Sequence, residues 1–171
     1  MVIIKAIKDR KSIRNYAHEA SVSDEQIKEL LEAAMLAPSA CNSRPWEFIV
    51  VQNKDKLDKI TKIHPYTQML TTANCAIIVC ADLNLQSGVS EGFFPQDCGA
   101  ATQNILLQAA ELGLGTCWCG IYPKEDKVKA FRSLFELPDN VVPFCVIAVG
   151  VPAEESGSRG FYEETKVKWI K

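Results

Sequence analysis

PQDCGAATQNILLQAAEL (residues 95–112), followed at once by GLGTCWCGIY (residues 113–122), joins a helix of unusual composition to a short apolar strand. Ala, Gln and Leu dominate the first part, and charge is almost absent past Asp97. A helix of that kind is buried around most of its circumference, or it packs against a second copy of itself. Gly113 ends it, because glycine takes the left-handed terminal conformation at little cost. The run from Gly115 then reads as a strand.

The same alternation continues outward in both directions. Residues 2–9 predict a short amphipathic helix with Ile3, Ile4 and Ile7 on one face. Ser23 and Gln26 form an S-x-x-Q capping box, which satisfies free amide donors at the start of a helix. Ile27, Leu30, Leu31 and Ala34 give that helix an apolar stripe, and Pro38 stops it. WEFIVVQN (46–53), CAIIVCAD (75–82) and VVPFCVIAVGV (141–151) read as strands. KDKLDKITKI (54–63) and KEDKVKAFRSLFEL (124–137) read as surface helices. The remainder, residues 152–171, is polar apart from Phe161, Tyr162, Val167 and Trp169, and is expected to be an arm lying on another surface. Strands separated by helices argue for a central sheet covered on both faces.

Composition narrows the function. A chain of 171 residues is close to one domain, and no repeat or long linker divides it. Nineteen Lys and Arg against 21 Asp and Glu give a formal charge of -2, which leaves no electrostatic footprint for wrapping nucleic acid. The longest apolar stretch, residues 141–151, is too short to span a bilayer. Lys5 and Lys8 interrupt what would be the apolar part of an export signal, so a cytoplasmic protein is expected, with its seven cysteines as thiols. Cys75 and Cys80 would point to opposite faces of one strand. Cys117 and Cys119 form a lone C-x-C without the second ligand pair of a structural zinc site. Most of these cysteines read as small buried hydrophobes.

Three segments can carry chemistry. In RKSIR (10–14), an extended backbone puts Arg10, Ser12 and Arg14 on one side over roughly 13 Å, with Ile13 turned inward. Two guanidinium groups and a hydroxyl suit a phosphate on a polar chain, since Arg binds phosphate in a forked geometry. A solvated basic turn is the plain alternative. In APSACNSRPW (37–46), two prolines bracket small polar residues where a ligand edge could approach, and a stiff connector is the alternative. In GLGTCWCG (113–120), Gly120 lets a backbone N–H come close to a flat ligand. This stretch is not a G-x-G-x-x-G fingerprint and runs from helix to strand, the reverse of the dinucleotide-binding order. No familiar nucleophile or metal motif occurs, so chemistry would come from a bound organic cofactor.

The ordered set RKSIRNY (10–16), APSACNSRPWEFIVV (37–51), HPYTQML (64–70), QDCGAATQNILLQAAELGLGTCWCGIYP (96–123) and VIAVGVPAE (146–154) resembles the FMN-dependent nitroreductase family over nearly the whole chain. The resemblance implies an α+β fold with a mostly antiparallel or mixed sheet of about four strands, helices on both faces, and completion by dimerisation. Residues 152–171 would embrace the partner of a homodimer that holds two FMN molecules at its interface. Carried over by position, Arg10, Lys11 and Ser12 would hold the FMN phosphate and ribityl chain. Arg14 would lie toward the flavin N1/C2 carbonyl side, where a cation stabilises the reduced ring. Pro38, Ser39, Ala40 and Asn42 would line the partner's flavin. The backbone of Cys119 and Gly120 would face the flavin held by Arg10 and Ser12 near its N5, and Arg159 would be a second phosphate cation. Gln68 stands where some relatives have Lys near the ring, so the reduction potential is expected to be lower. Arg44 replaces a commoner Gln, and Cys41 puts a thiol beside the flavin loop.

The implied activity is ping-pong hydride transfer from NADH or NADPH, by way of FMN, to a small electron acceptor such as a nitroaromatic or quinone. A flavin store or redox sensor is the rival, and a thiol redox protein using Cys117 and Cys119 is a third reading. The short stretch between Asp82 and Phe94 predicts only a small lid.

Overall fold

The computed structural model describes residues 3–153, 160 and 162–171. Strands β1 (Trp46–Val51), β2 (Cys75–Asp82), β3 (Gly115–Gly120) and β4 (Val141–Gly150) form one sheet in the order β1-β2-β4-β3, antiparallel throughout. The central pair, β2 and β4, is apolar at nearly every position because both its faces are covered. Their register slips between Val79 and Cys80, opposite Pro143. Proline has no N–H to give the ladder, so a bulge there is the natural accommodation.

Helices α1 (Lys5–Asp9), α2 (Asp24–Met35), α3 (Lys54–Ile63), α4 (Phe94–Glu111) and α5 (Glu125–Phe135) complete the chain, with short 3-10 segments between them. Alternation along β2 and β4 builds a core on each side. Cys75, Ile77, Val79, Ile147 and Val149 pack under α2 and α4. Ala76, Ile78, Cys80, Val146 and Ala148 pack with Leu57, Ile60 and Phe131 of α3 and α5. Cys75 and Cys80 thus lie on opposite faces, and six cysteines are buried while Cys41 is exposed. The capping box of Ser23 and Gln26 forms with both of its bonds. Gly113 takes φ +71° just past α4.

One expectation changes. Helix α1 begins at Lys5, not at residue 2; Ile3 and Ile4 precede it and, with Ile7, are exposed. Five residues make too short a helix to bury an apolar face. Helix α4 is buried at Phe94, Asp97, Cys98, Ala101, Thr102, Ile105, Leu106 and Ala109 and half-buried elsewhere except at Gln96 and Glu111, as its composition predicts. Tyr162, Trp169 and Ile170 are exposed, so the described C-terminal residues pack little against their own chain. Among the described residues, no helix is long and apolar enough to cross a membrane.

Candidate active site

The segment after α1 is laid along the edge strand β3. Ser12 bridges Thr116 in parallel fashion, and the Ile13 N–H donates to the Thr116 carbonyl at 2.9 Å. Ile13 is buried, as the extended reading requires, and the Tyr16 hydroxyl donates to the Ile13 carbonyl at 2.9 Å. This anchoring places Arg10 and Ser12 in a cleft of about 420 Å³, together with Gln103, Thr116, Trp118 and Gly120. Arg14 lines an adjoining cleft of about 870 Å³. Arg10, Ser12 and Arg14 therefore do not share one hollow: Arg10 and Ser12 line one and Arg14 the other, and Trp118 and Gly120 line both. Lys11 lines a smaller hollow with Arg10 and Asp9.

The two hollows differ in chemistry. The smaller is rich in donors: a guanidinium, an amide and two hydroxyls. The larger has aromatic walls (Tyr66, Trp118, Tyr122) and also takes in Gln68, Cys119, Lys124 and Lys127. An added Cβ at Gly120 would find no heavy atom nearer than 3.9 Å, so the protein's own packing does not demand glycine there. The missing side chain leaves open space at the point the clefts share. That is the shape for a ligand with a phosphate-like end and a flat end, and FMN fits the description.

Buried His64 braces the larger cleft. Its Nε2 lies 2.8 Å from the Gly120 carbonyl, and its Nδ1 accepts from the Tyr66 N–H at 3.3 Å. The Cys119 thiol donates to the Tyr66 carbonyl at 3.1 Å. Cys117 and Cys119 interact; the Cys119 thiol, with help from Arg14 and Ser12, pulls the Cys117 thiol below its ordinary value against the effect of burial. Burial alone pushes Cys75 up to about 12, which marks it as inert. Gln68 is tied down, its Nε2 donating to the Thr61 carbonyl at 3.1 Å.

Pro38, Ser39, Ala40 and Asn42 line none of these three hollows. Their loop is held in an unusual shape. Cys41, Asn42 and Arg44 all have positive φ, at 52°, 53° and 48°. Such conformations cost non-glycine residues energy and persist only where surroundings enforce them. The enforcing bonds are visible. Ser39 Oγ accepts from the Arg44 N–H, and buried Asp97 accepts from the Ala40 N–H, both at 2.9 Å. Asp97 also accepts from Gln86 at 3.3 Å, so the 83–90 stretch packs beside this loop. That stretch, expected as a small lid, lines none of the three hollows. Arg159 lies outside the described residues.

Sequence reading missed His64, Tyr66, Lys127, Trp118 and Gln103. Trp118 had a usable signal, since it alternates with two inward cysteines on a strand. The 64–71 stretch is 3-10 structure with no helical or strand period to read.

An antiparallel α+β sheet whose edge strand carries a polar hollow running into an aromatic one defines a protein built for an elongated, partly planar small ligand. The nitroreductase family profile matches residues 7–65 and 63–151. A protein of Methanothermobacter thermautotrophicus, named for NADH dehydrogenase and NAD(P)H nitroreductase activity, is 48% identical over 99% of this chain and 88% of its own. The solved structure of an FMN-dependent nitroreductase from Clostridium difficile superposes with a TM-score of 0.88 at 31% identity, covering 99% of each chain. A Desulfovibrio desulfuricans nitroreductase solved in complex with FMN gives 0.82 at 29% identity, covering 98% of this chain and 95% of that one. The chain belongs to the nitroreductase family.

Proposed function

We propose that this FMN-dependent NAD(P)H oxidoreductase takes its nicotinamide donor and its electron acceptor, a nitroaromatic, quinone or similar ring, in turn at the larger cleft. The observation that carries this reading is the pair of adjoining hollows meeting at Gly120 and Trp118. When bound, FMN supplies a ring that accepts and donates hydride, which no side chain here can do. Arg10, Lys11 and Ser12 would hold its phosphate and ribityl chain. Arg14 and Gln68 would face the ring, with Arg14 stabilising negative charge that accumulates there. Cys119 and Gly120 would offer backbone at the ring edge, and the aromatic walls would orient a flat substrate and exclude water. No acid or base need be posted in the cleft.

Pro38, Ser39, Ala40 and Asn42 would act on the FMN of a partner copy in a homodimer. Two features support this: their loop, held in a positive-φ conformation, lines none of this chain's three hollows, and Tyr162, Trp169 and Ile170 are exposed.

Anaerobic addition of NADH or NADPH to the yellow FMN-loaded protein should bleach the visible flavin band within seconds. A flavin that stays oxidised with both donors would sink the oxidoreductase reading and favour storage or sensing. Replacing Arg10 by Ala removes charge-assisted bonds and should weaken FMN binding by roughly 10- to 100-fold, read by fluorescence titration. Unchanged affinity would remove Arg10 from the phosphate site.

A further inference from the structure

The larger cleft has a one-sided charge. Arg14, Lys124 and Lys127 line it, and among the described residues no Asp or Glu does. This occurs in a chain with a formal charge of -2, so the asymmetry is local. The resemblance assigns Arg14 to the flavin. Lys124 and Lys127, at the start of α5, have no role in that scheme. Their helix neighbours Glu125 and Asp126 are exposed and do not line the cleft.

Lys127 is half-buried, and its Nζ lies 3.1 Å from His64 Nε2 and 5.7 Å from the centre of the Tyr66 ring. The histidine bonding pattern decides what that contact is. A ring that accepts the Tyr66 N–H at Nδ1 carries its proton at Nε2, and the Gly120 carbonyl, 2.8 Å away, receives it. The Nε2 atom then has no lone pair for the ammonium. The other tautomer would accept from Lys127 but orphan both the Gly120 carbonyl and the Tyr66 amide, so the two-bond pattern prevails. Lys127 is left as a cation on an aromatic wall. Among the described residues, neither it nor Lys124 forms an ion pair with a carboxylate. A half-buried ammonium with no carboxylate partner among the described residues lines a substrate-sized hollow and can take an anion there.

We propose that Lys127, supported by Lys124, is an anion subsite, and that a small molecule entering the larger cleft carries a carboxylate, sulfonate or phosphate group. This rests on the oxidoreductase reading for which molecule that is, but anion binding itself can be measured without turnover. The shared chemistry has two sources: an acidic substituent on the acceptor, or the 2′-phosphate that distinguishes NADPH from NADH.

The test uses FMN-loaded wild-type protein and the Lys127→Gln and Lys124→Gln variants, each first checked for folding by circular dichroism. Calorimetric titration of the oxidised protein with 4-nitrobenzoate and its neutral analogue 4-nitrobenzamide supplies one arm. The NADPH-to-NADH ratio of anaerobic bleaching rates supplies the other. Wild type should favour the anion in at least one arm by about tenfold, as a charge-assisted bond predicts, and Lys127→Gln should erase that preference. Lys124→Gln, at a more exposed position, should reduce it by a smaller factor. Loss confined to the nitrobenzoate pair assigns the subsite to the acceptor; loss confined to the nucleotide pair assigns it to the donor phosphate. Equal treatment of the more and the less anionic partner in both arms overturns the proposal. So does a fall in FMN affinity in Lys127→Gln, which would put the ammonium on the cofactor. If neither donor bleaches the flavin but nitrobenzoate still binds through Lys127, the anion subsite stands and the oxidoreductase reading fails.

Discussion

Replacing Gly115 by Ala is expected to weaken FMN binding by about tenfold or more and to lower stability by roughly 1–3 kcal/mol, the usual range for overpacking a core. A Cβ at Gly115 would sit 2.8 Å from Ile13 Cγ2 and 2.9 Å from Ile13 Cβ. Neither atom is the free end of a flexible chain. Ile13 is β-branched, buried, and bonded through its own N–H to the Thr116 carbonyl. The clash can be relieved only by moving the 10–14 segment off β3. That movement would break the Ser12–Thr116 bridge and carry Arg10 and Ser12 out of their cleft. The substitution is thus a structural change with a binding readout. Fluorescence titration with FMN measures the affinity, and urea unfolding of the FMN-free protein measures the stability. An alanine variant that binds FMN as tightly as wild type would show that the phosphate cleft does not depend on this close approach.

Phe131→Ala should be the more destabilising change, by about 3–5 kcal/mol. Phe131 is fully buried on the inner face of α5, with its ring centre 6.4 Å from that of Phe135, and belongs to the core that includes Ile60, Ile78 and Val146. Truncation would leave a ring-sized cavity in a close-packed layer. In a chain of this size each kcal/mol moves the melting point by about 2–4 °C, so a fall of roughly 6–20 °C is expected in a thermal scan. Lys129→Ala, at an exposed position of the same helix, should stay within about 0.5 kcal/mol and serves as the comparison. A small shift for Phe131→Ala would mean that α5 is not held by this side chain. Because α5 carries Lys124 and Lys127, its docking also sets one wall of the larger cleft.

How much of this was legible varies by element. Helices α2 and α4 and strand β2 sit within a residue or so of their expected bounds, because caps, proline stops and apolar periodicity are local signals. Helix α1 is shorter than its pattern suggests, since its three isoleucines look like a buried stripe but are exposed among the described residues. Residues 64–71 gave no period at all. Candidate site residues were legible where a family pattern names them, and silent where position alone gives them meaning. His64 looked like a lone histidine. Its role comes from Gly120, 56 residues away, and from Lys127, 63 residues away. Asp97 looked like the last charge before an apolar helix, yet it holds a loop 57 residues earlier in the chain.

The sequence by itself determined the alternation of helices and strands, the burial of most cysteines, the family, and hence the kind of ligand. Those rest on short-range spacing and on motifs in order, which survive in one dimension. The tertiary structure alone decided that Arg10 and Arg14 line different hollows sharing Trp118 and Gly120, and that the APSACNSRPW loop lines neither. It alone brings Lys127 beside the buried His64 on the wall of the larger cleft. Those depend on which surfaces the antiparallel sheet brings face to face, and on which hydrogen bonds exclude one another there.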